Sequence, residues 1–104
     1  MSNTSSQLEQ WAEDIDKLPY KERDFDRIPL EQRLHPNYTL CGLLYFYNLL
    51  PDGCKRQFDL HSEHDILYVG HYEYCRPITY EDMIYLDRCG IHYSNDNEGF
   101  CQYN

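Results

Sequence analysis

The stretch Thr79–Ser94, TYEDMIYLDRCGIHYS, holds a helix start, a helix stop and the first strand of a hairpin. Thr79 offers a side-chain oxygen as an N-cap for YEDMIYLDRC. Asp82 stands at the N3 position, with Glu81 beside it where the positive end of the helix dipole favours a carboxylate. Gly90 supplies the C′ stop, and Ile91 after it is placed to pack back on Leu86 in a Schellman-type ending. Beyond it, IHYS and GFCQY flank the polar NDNE and read as a closing hairpin.

Upstream of this unit, Pro51-Asp52-Gly53 marks a turn. Phe58 and Leu60 then alternate with Gln57, Asp59 and His61, and Ile66–Tyr74 forms a second extended run. The pair predicts a hairpin turning near residues 62–65. Within the second run, Leu67, Val69, His71 and Glu73 fall on one face and Ile66, Tyr68, Tyr72 and Tyr74 on the other. Further back, Leu40, Leu43, Leu44 and Tyr47 in TLCGLLYFYNLL follow the i, i+3, i+4, i+7 spacing of a buried helix face, despite Gly42, which costs about 1 kcal/mol relative to Ala. A strand is the alternative for residues 39–50. Between prolines 19, 29 and 36 the charged, apolar-poor segment predicts one or two short helices joined at Pro-marked corners. Ser6-Gln7-Leu8-Glu9 matches a capping box, and Leu8, Trp11, Ala12, Ile15 and Leu18 recur at helical spacing, giving a first helix over 7–18. The fold class is therefore α+β: N-terminal helices, then β-hairpin, helix and β-hairpin. Residues 1–6 are expected to form a flexible N-terminus and 7–104 one domain.

The 104 residues suffice for a core, since a chain of this size buries roughly 65% of the surface its unfolded form exposes. No apolar run reaches the 18 residues of a bilayer span, and no basic start followed by an apolar stretch suggests export. Five cysteines, an odd count without a CxxC pair, fit a reduced, cytoplasmic protein. The net charge of −9 is lopsided. Residues 1–58 hold 9 acids and 7 bases, net −2, whereas 59–104 hold 9 acids against only Arg76 and Arg88, net −7. Seven of the 11 tyrosines (68, 72, 74, 80, 85, 93 and 103) fall in that acidic part.

Within it, Asp59–Cys75, DLHSEHDILYVGHYEYC, raises the question of a metal site, because DLHSEHD loosely echoes the HxHxDH ligand pattern of metal-dependent hydrolases. Asp59 and Glu63 depart from that pattern. If the chain is extended, Asp59 and His61 share a face and His64 must come from the turn. His71 and Cys75 lie roughly 13 Å apart at about 3.3 Å per residue, whereas zinc ligands each sit about 2 Å from the ion. A small metal-dependent enzyme built on Asp59, His61 and His64 stays as a lesser alternative, and no metal or cofactor is expected. Nucleophilic chemistry is weaker still. Cys89 sits at a helix C-terminus, where the negative dipole end disfavours a thiolate. Cys54, beside Lys55 and Arg56, has no orienting partner. No GxSxG, Walker or dinucleotide motif occurs, so the chain reads as a non-enzyme.

Direct nucleic-acid binding requires clustered Lys and Arg, which the tyrosine-rich part lacks. Spaced carboxylates can instead stand in for phosphates toward a basic protein, and tyrosine gives Arg a ring face. In size, charge and tyrosine content the chain resembles the small acidic inhibitors that phages and mobile elements direct against host defence nucleases, anti-CRISPR proteins among them. More distantly it resembles the immunity proteins of nuclease toxins. That resemblance implies a non-enzymatic inhibitor occupying the basic surface of a nuclease or CRISPR effector. The candidate anionic contacts are Asp59, Glu63, Asp65, Glu73, Glu81, Asp82, Asp87, Asp96 and Glu98, with Tyr68, Tyr72 and Tyr74 as aromatic anchors. An adaptor or immunity-type interaction protein, kept soluble by its charge, is the main alternative.

Overall fold

A computed structural model describes residues 3–58, 60–63, 65–96 and 98–103. Three α-helices, α1 (Ser5–Asp16), α2 (Tyr38–Leu49) and α3 (Tyr80–Arg88), accompany four strands, β1 (His61–Glu63), β2 (Ile66–His71), β3 (Ile91–Ser94) and β4 (Gly99–Tyr103). The strands form one antiparallel sheet in the order β1-β2-β4-β3. The chain is α+β, as its sequence pattern predicts.

The local chemistry of α3 matches its sequence. Thr79 Oγ1 accepts from the Asp82 amide at 3.1 Å while Asp82 Oδ2 accepts from the Thr79 amide at 2.9 Å, a reciprocal capping box. Gly90 adopts φ +80°, a conformation that costs little only without a Cβ, and its amide donates to the Asp87 carbonyl at 2.9 Å. Leu86 and Ile91 share the main core cluster.

Helix α1 begins two residues before its expected start. Thr4, not Ser6, is the N-cap, accepting from the Gln7 amide at 3.1 Å, and Lys17 closes the helix ahead of Pro19. The Asn3 side chain both accepts from the Ile78 amide at 2.7 Å and donates to its carbonyl at 2.9 Å. Ser5 Oγ lies 2.6 Å from the Tyr93 hydroxyl. Asn3 and Ser5 thus carry hydrogen bonds to the rest of the domain. Between α1 and α2 the proline-rich segment forms three short 3-10 turns, Tyr20–Arg23, Phe25–Arg27 and Leu30–Gln32.

The segment 39–50 is helical, yet the wrong face was expected to be buried. Leu40, Leu44 and Tyr47 are exposed, while Cys41, Gly42, Phe46 and Leu49 are buried. A helix apolar all round gives periodicity little to discriminate. The small residues decide: a Cβ at Gly42 would lie 2.7 Å from Cys89 Cβ and 2.8 Å from Ile91 Cδ1, so Gly42 permits α2 to close on the α3–β3 corner. Leu8 and Ile15 of α1, Phe46 and Leu49 of α2, Met83 and Leu86 of α3, and Ile91, Tyr93 and Phe100 of the sheet make one core with Val69. Ile28, Cys41 and Cys89 form a smaller satellite.

The second extended run is shorter than expected. Strand β2 ends at His71, and Tyr72–Tyr74 winds into a 3-10 turn that brings Cys75 Sγ to 3.9 Å from the His71 carbonyl. The two-faced reading of residues 66–74 therefore fails beyond residue 71. A register shift between Tyr68 and Gly70 already bends the strand against β4.

Candidate functional site

The proposed contacts divide into two groups once their burial is known. Glu63, Asp65, Glu73, Glu81, Asp96 and Glu98 are exposed. Asp65 and Glu98 occupy turn positions at φ +65° and +49°. Asp59 and His64 lie outside the described residues, so the alternative built on Asp59, His61 and His64 has only His61 placed, exposed on β1. Among the described residues no group of three His, Cys, Asp or Glu could hold a metal ion.

Asp82 and Asp87 are not surface contacts. Asp82, only 4% exposed, closes the capping box, accepts the Tyr45 hydroxyl at 2.6 Å and takes both terminal nitrogens of Arg76, at 2.9 and 3.2 Å. Burial alone would raise its carboxyl pKa. The hydrogen bonds from Arg76, the Thr79 amide and Tyr45 outweigh that and hold it below the ordinary range. Asp87, 7% exposed, accepts from Arg23 Nε at 3.0 Å and Nη2 at 2.9 Å, and lies 2.9 Å from His92 Nδ1. Here too burial pushes upward and is overcome, by the hydrogen bonds of His92 and Arg23, leaving the pKa lowered. A buried carboxylate is retained only with such partners.

The tyrosines divide likewise. Tyr93 is buried, and Tyr85 stacks on Tyr45 with ring centroids 3.8 Å apart while donating to the Gln32 carbonyl at 2.6 Å. Tyr80 meets Trp11 edge-on. Of the three expected anchors, Tyr72 and Tyr74 are half-buried against the main core, Tyr72 edge-on to Tyr93. Tyr68 is the anchor that the sheet presents beside open space. It is the cross-strand partner of His61, and the two rings stack at 4.8 Å with 19° between their planes.

That pair borders a cleft of about 440 Å³ whose lining includes Gln57, His71, Asp96 and Gly99. Such a volume falls within the roughly 300–1,000 Å³ of small-ligand sites. Among the described residues the lining contains no Lys or Arg. The cleft was not foreseen from sequence, because the β1-β2-β4 register that pairs His61 with Tyr68 has to meet Gln57, from the 3-10 turn Asp52–Gln57, and Asp96, from the turn after β3. The available signal was the hairpin pairing of residues 61 and 68.

Thiol chemistry finds no support in the geometry. Cys89 is fully buried, and burial pushes its thiol pKa well up. Burial likewise raises Cys75, to about 12. The Lys55 ammonium beside Cys54 in sequence is instead engaged with the Tyr47 carbonyl at 2.8 Å and sits over the Tyr47 ring. All five cysteines are free thiols. Among the described residues no helix is long and apolar enough to cross a membrane. Comparison with protein-family models, curated proteins and solved structures gives no match.

Proposed function

We propose that this protein is a non-enzymatic, acidic binding protein that inhibits a cytoplasmic nucleic-acid-binding protein, a nuclease or CRISPR effector, by covering its basic surface. One observation carries the reading. Both arginines of the acidic part are engaged by groups other than the exposed carboxylates. Arg76 is committed to buried Asp82, and Arg88 Nε donates to the Glu22 carbonyl at 2.9 Å. Asp65, Glu73, Glu81, Asp96 and Glu98 thus face solvent without a salt bridge among the described residues. Such uncompensated carboxylates, Asp65 at one end of the β2–β4 ladder and Asp96 and Glu98 at the other, each attract cations over about 8–10 Å at physiological salt and together accelerate encounter with a basic partner.

The test is titration against purified nucleases and guide-loaded CRISPR effectors at low and high salt, with the partner's own nucleic acid as competitor. Binding should weaken with salt and be displaced by nucleic acid. Neutralising Glu63, Asp65 and Glu98 together (Glu to Gln, Asp to Asn) should slow association far more than the same change at Glu9, Glu13 and Asp16 of α1. Binding indifferent to salt and to nucleic acid would overturn the mimic.

A second reading, an adaptor that binds through apolar contacts, draws on the exposed Leu40, Leu44 and Tyr47 of α2. Those positions are one helical stripe, i, i+4, i+7. Salt-independent binding abolished by Leu44→Asp would favour it.

A further inference from the structure

We propose that the cleft bordered by His61, Tyr68 and Asp96 receives an arginine side chain of the basic partner; the inference rests on the acidic-surface reading and names the group recognised there. Three features of the cleft match a guanidinium. The first is the His61–Tyr68 stack itself, whose inner faces cover each other and whose outer ring face is the one on which a planar cation can lie. The second is Asp96, exposed on the turn after β3, in the lining, and without an ion pair among the described residues. A carboxylate accepts the parallel N–H pair of a guanidinium in a bidentate bond. The third is Gln57, a lining residue whose backbone carbonyl lies beside Gly70, 3.5 Å from where a Cβ on that glycine would sit, and is an acceptor.

The same features discriminate against other occupants. A phosphate or nucleotide would meet a carboxylate and, among the described lining residues, find no Lys or Arg. A lysine ammonium could pair with Asp96 but gains neither the bidentate fork nor the planar stack.

The experiment titrates the isotope-labelled protein with N-acetyl-arginine methylamide at low salt, followed by nuclear magnetic resonance, with the lysine and citrulline counterparts in parallel. Saturable shifts are expected at His61, Tyr68, Gly70 and Gly99, with affinity in the order arginine, lysine, citrulline. Asp96→Asn should weaken arginine binding about tenfold, the loss expected for one charge-assisted bidentate contact. Glu81→Gln, an exposed carboxylate elsewhere, should leave it unchanged. Citrulline binding as well as arginine, shifts scattered over the whole acidic surface, or an unaffected Asp96→Asn protein would each overturn the proposal. The two readings fail separately. If a basic partner binds in a salt-sensitive way but is indifferent to Asp96→Asn and Tyr68→Ala, the arginine cleft falls and the acidic surface stands. If the arginine amide occupies the cleft while no nuclease or effector binds, the cleft stands and the inhibitor reading falls.

Discussion

Replacing Asp87 with Ala should be among the most damaging single changes to a carboxylate in this protein. The side chain is 5% exposed and accepts two hydrogen bonds from the Arg23 guanidinium, with His92 Nδ1 at 2.9 Å. Removing it leaves a guanidinium only 26% exposed with Asp16 as its remaining carboxylate partner. Breaking a fully buried pair costs about 3–5 kcal/mol. Because Arg23 keeps some solvent and the Asp16 contact, about 3 kcal/mol is expected. For a domain of this size that corresponds to a fall in Tm of about 12–24 °C. Urea unfolding followed by linear extrapolation measures the loss, with Asp16→Ala, at a 68% exposed side chain, as the comparison expected to change little. A double-mutant cycle with Arg23→Met should return a coupling above about 1 kcal/mol. A loss below about 1 kcal/mol for Asp87→Ala, or no coupling to Arg23, would refute the claim that Asp87 is structural and return it to the candidate surface contacts.

Thr79→Ala should cost about 1 kcal/mol by removing the cap oxygen from the Asp82 amide; an unchanged urea midpoint would contradict the capping box. Acid should destabilise the fold through the same two buried aspartates. Their folded pKa values lie below the unfolded value of about 3.9, so the stabilisation is complete above it and is lost as pH falls through the folded values. Unfolding free energies measured on both sides of about pH 4 should therefore decline toward acid, and less steeply for Asp87→Ala. All five thiols should titrate in denaturant without reductant, whereas in the native protein buried Cys41, Cys89 and Cys101 should react far more slowly than Cys54. Rapid labelling of Cys89 in the folded state would be incompatible with its packing against α2.

Legibility in the sequence followed the range of the interactions. The start and stop of α3 depend on partners three residues apart, Thr79 with Asp82 and Asp87 with Gly90, and both could be read directly. The buried face of α2 could not, because its choice turns on Gly42 meeting Cys89 and Ile91, side chains far along the chain. Asp82 illustrates a conflict that sequence alone contained: a carboxylate that closes a capping box has its oxygens occupied and cannot also serve as a free surface charge. Asp87 gave no such clue, since its partner Arg23 lies 64 residues away in a proline-marked segment. The exposed carboxylates were legible as a charge imbalance, but the cleft that Asp96 shares with His61 and Tyr68 depends, beyond the local 61–68 pairing, on the long-range β2–β4 register, which no local pattern specifies.

The sheet order carries a consequence for how the chain acquires its structure. Strand β4 follows every other described element in sequence, yet it lies between β2 and β3 in the sheet. As the polypeptide emerges during synthesis, β2 and β3 each present an open edge until residues 99–103 arrive to pair with both. The sheet must therefore stay incomplete until residues 99–103 have been made, with its closure against β2 deferred to a long-range event. A stop codon at position 99 would not trim a peripheral strand but leave two unpaired halves of a sheet, and such a product should aggregate rather than persist as a shortened fold.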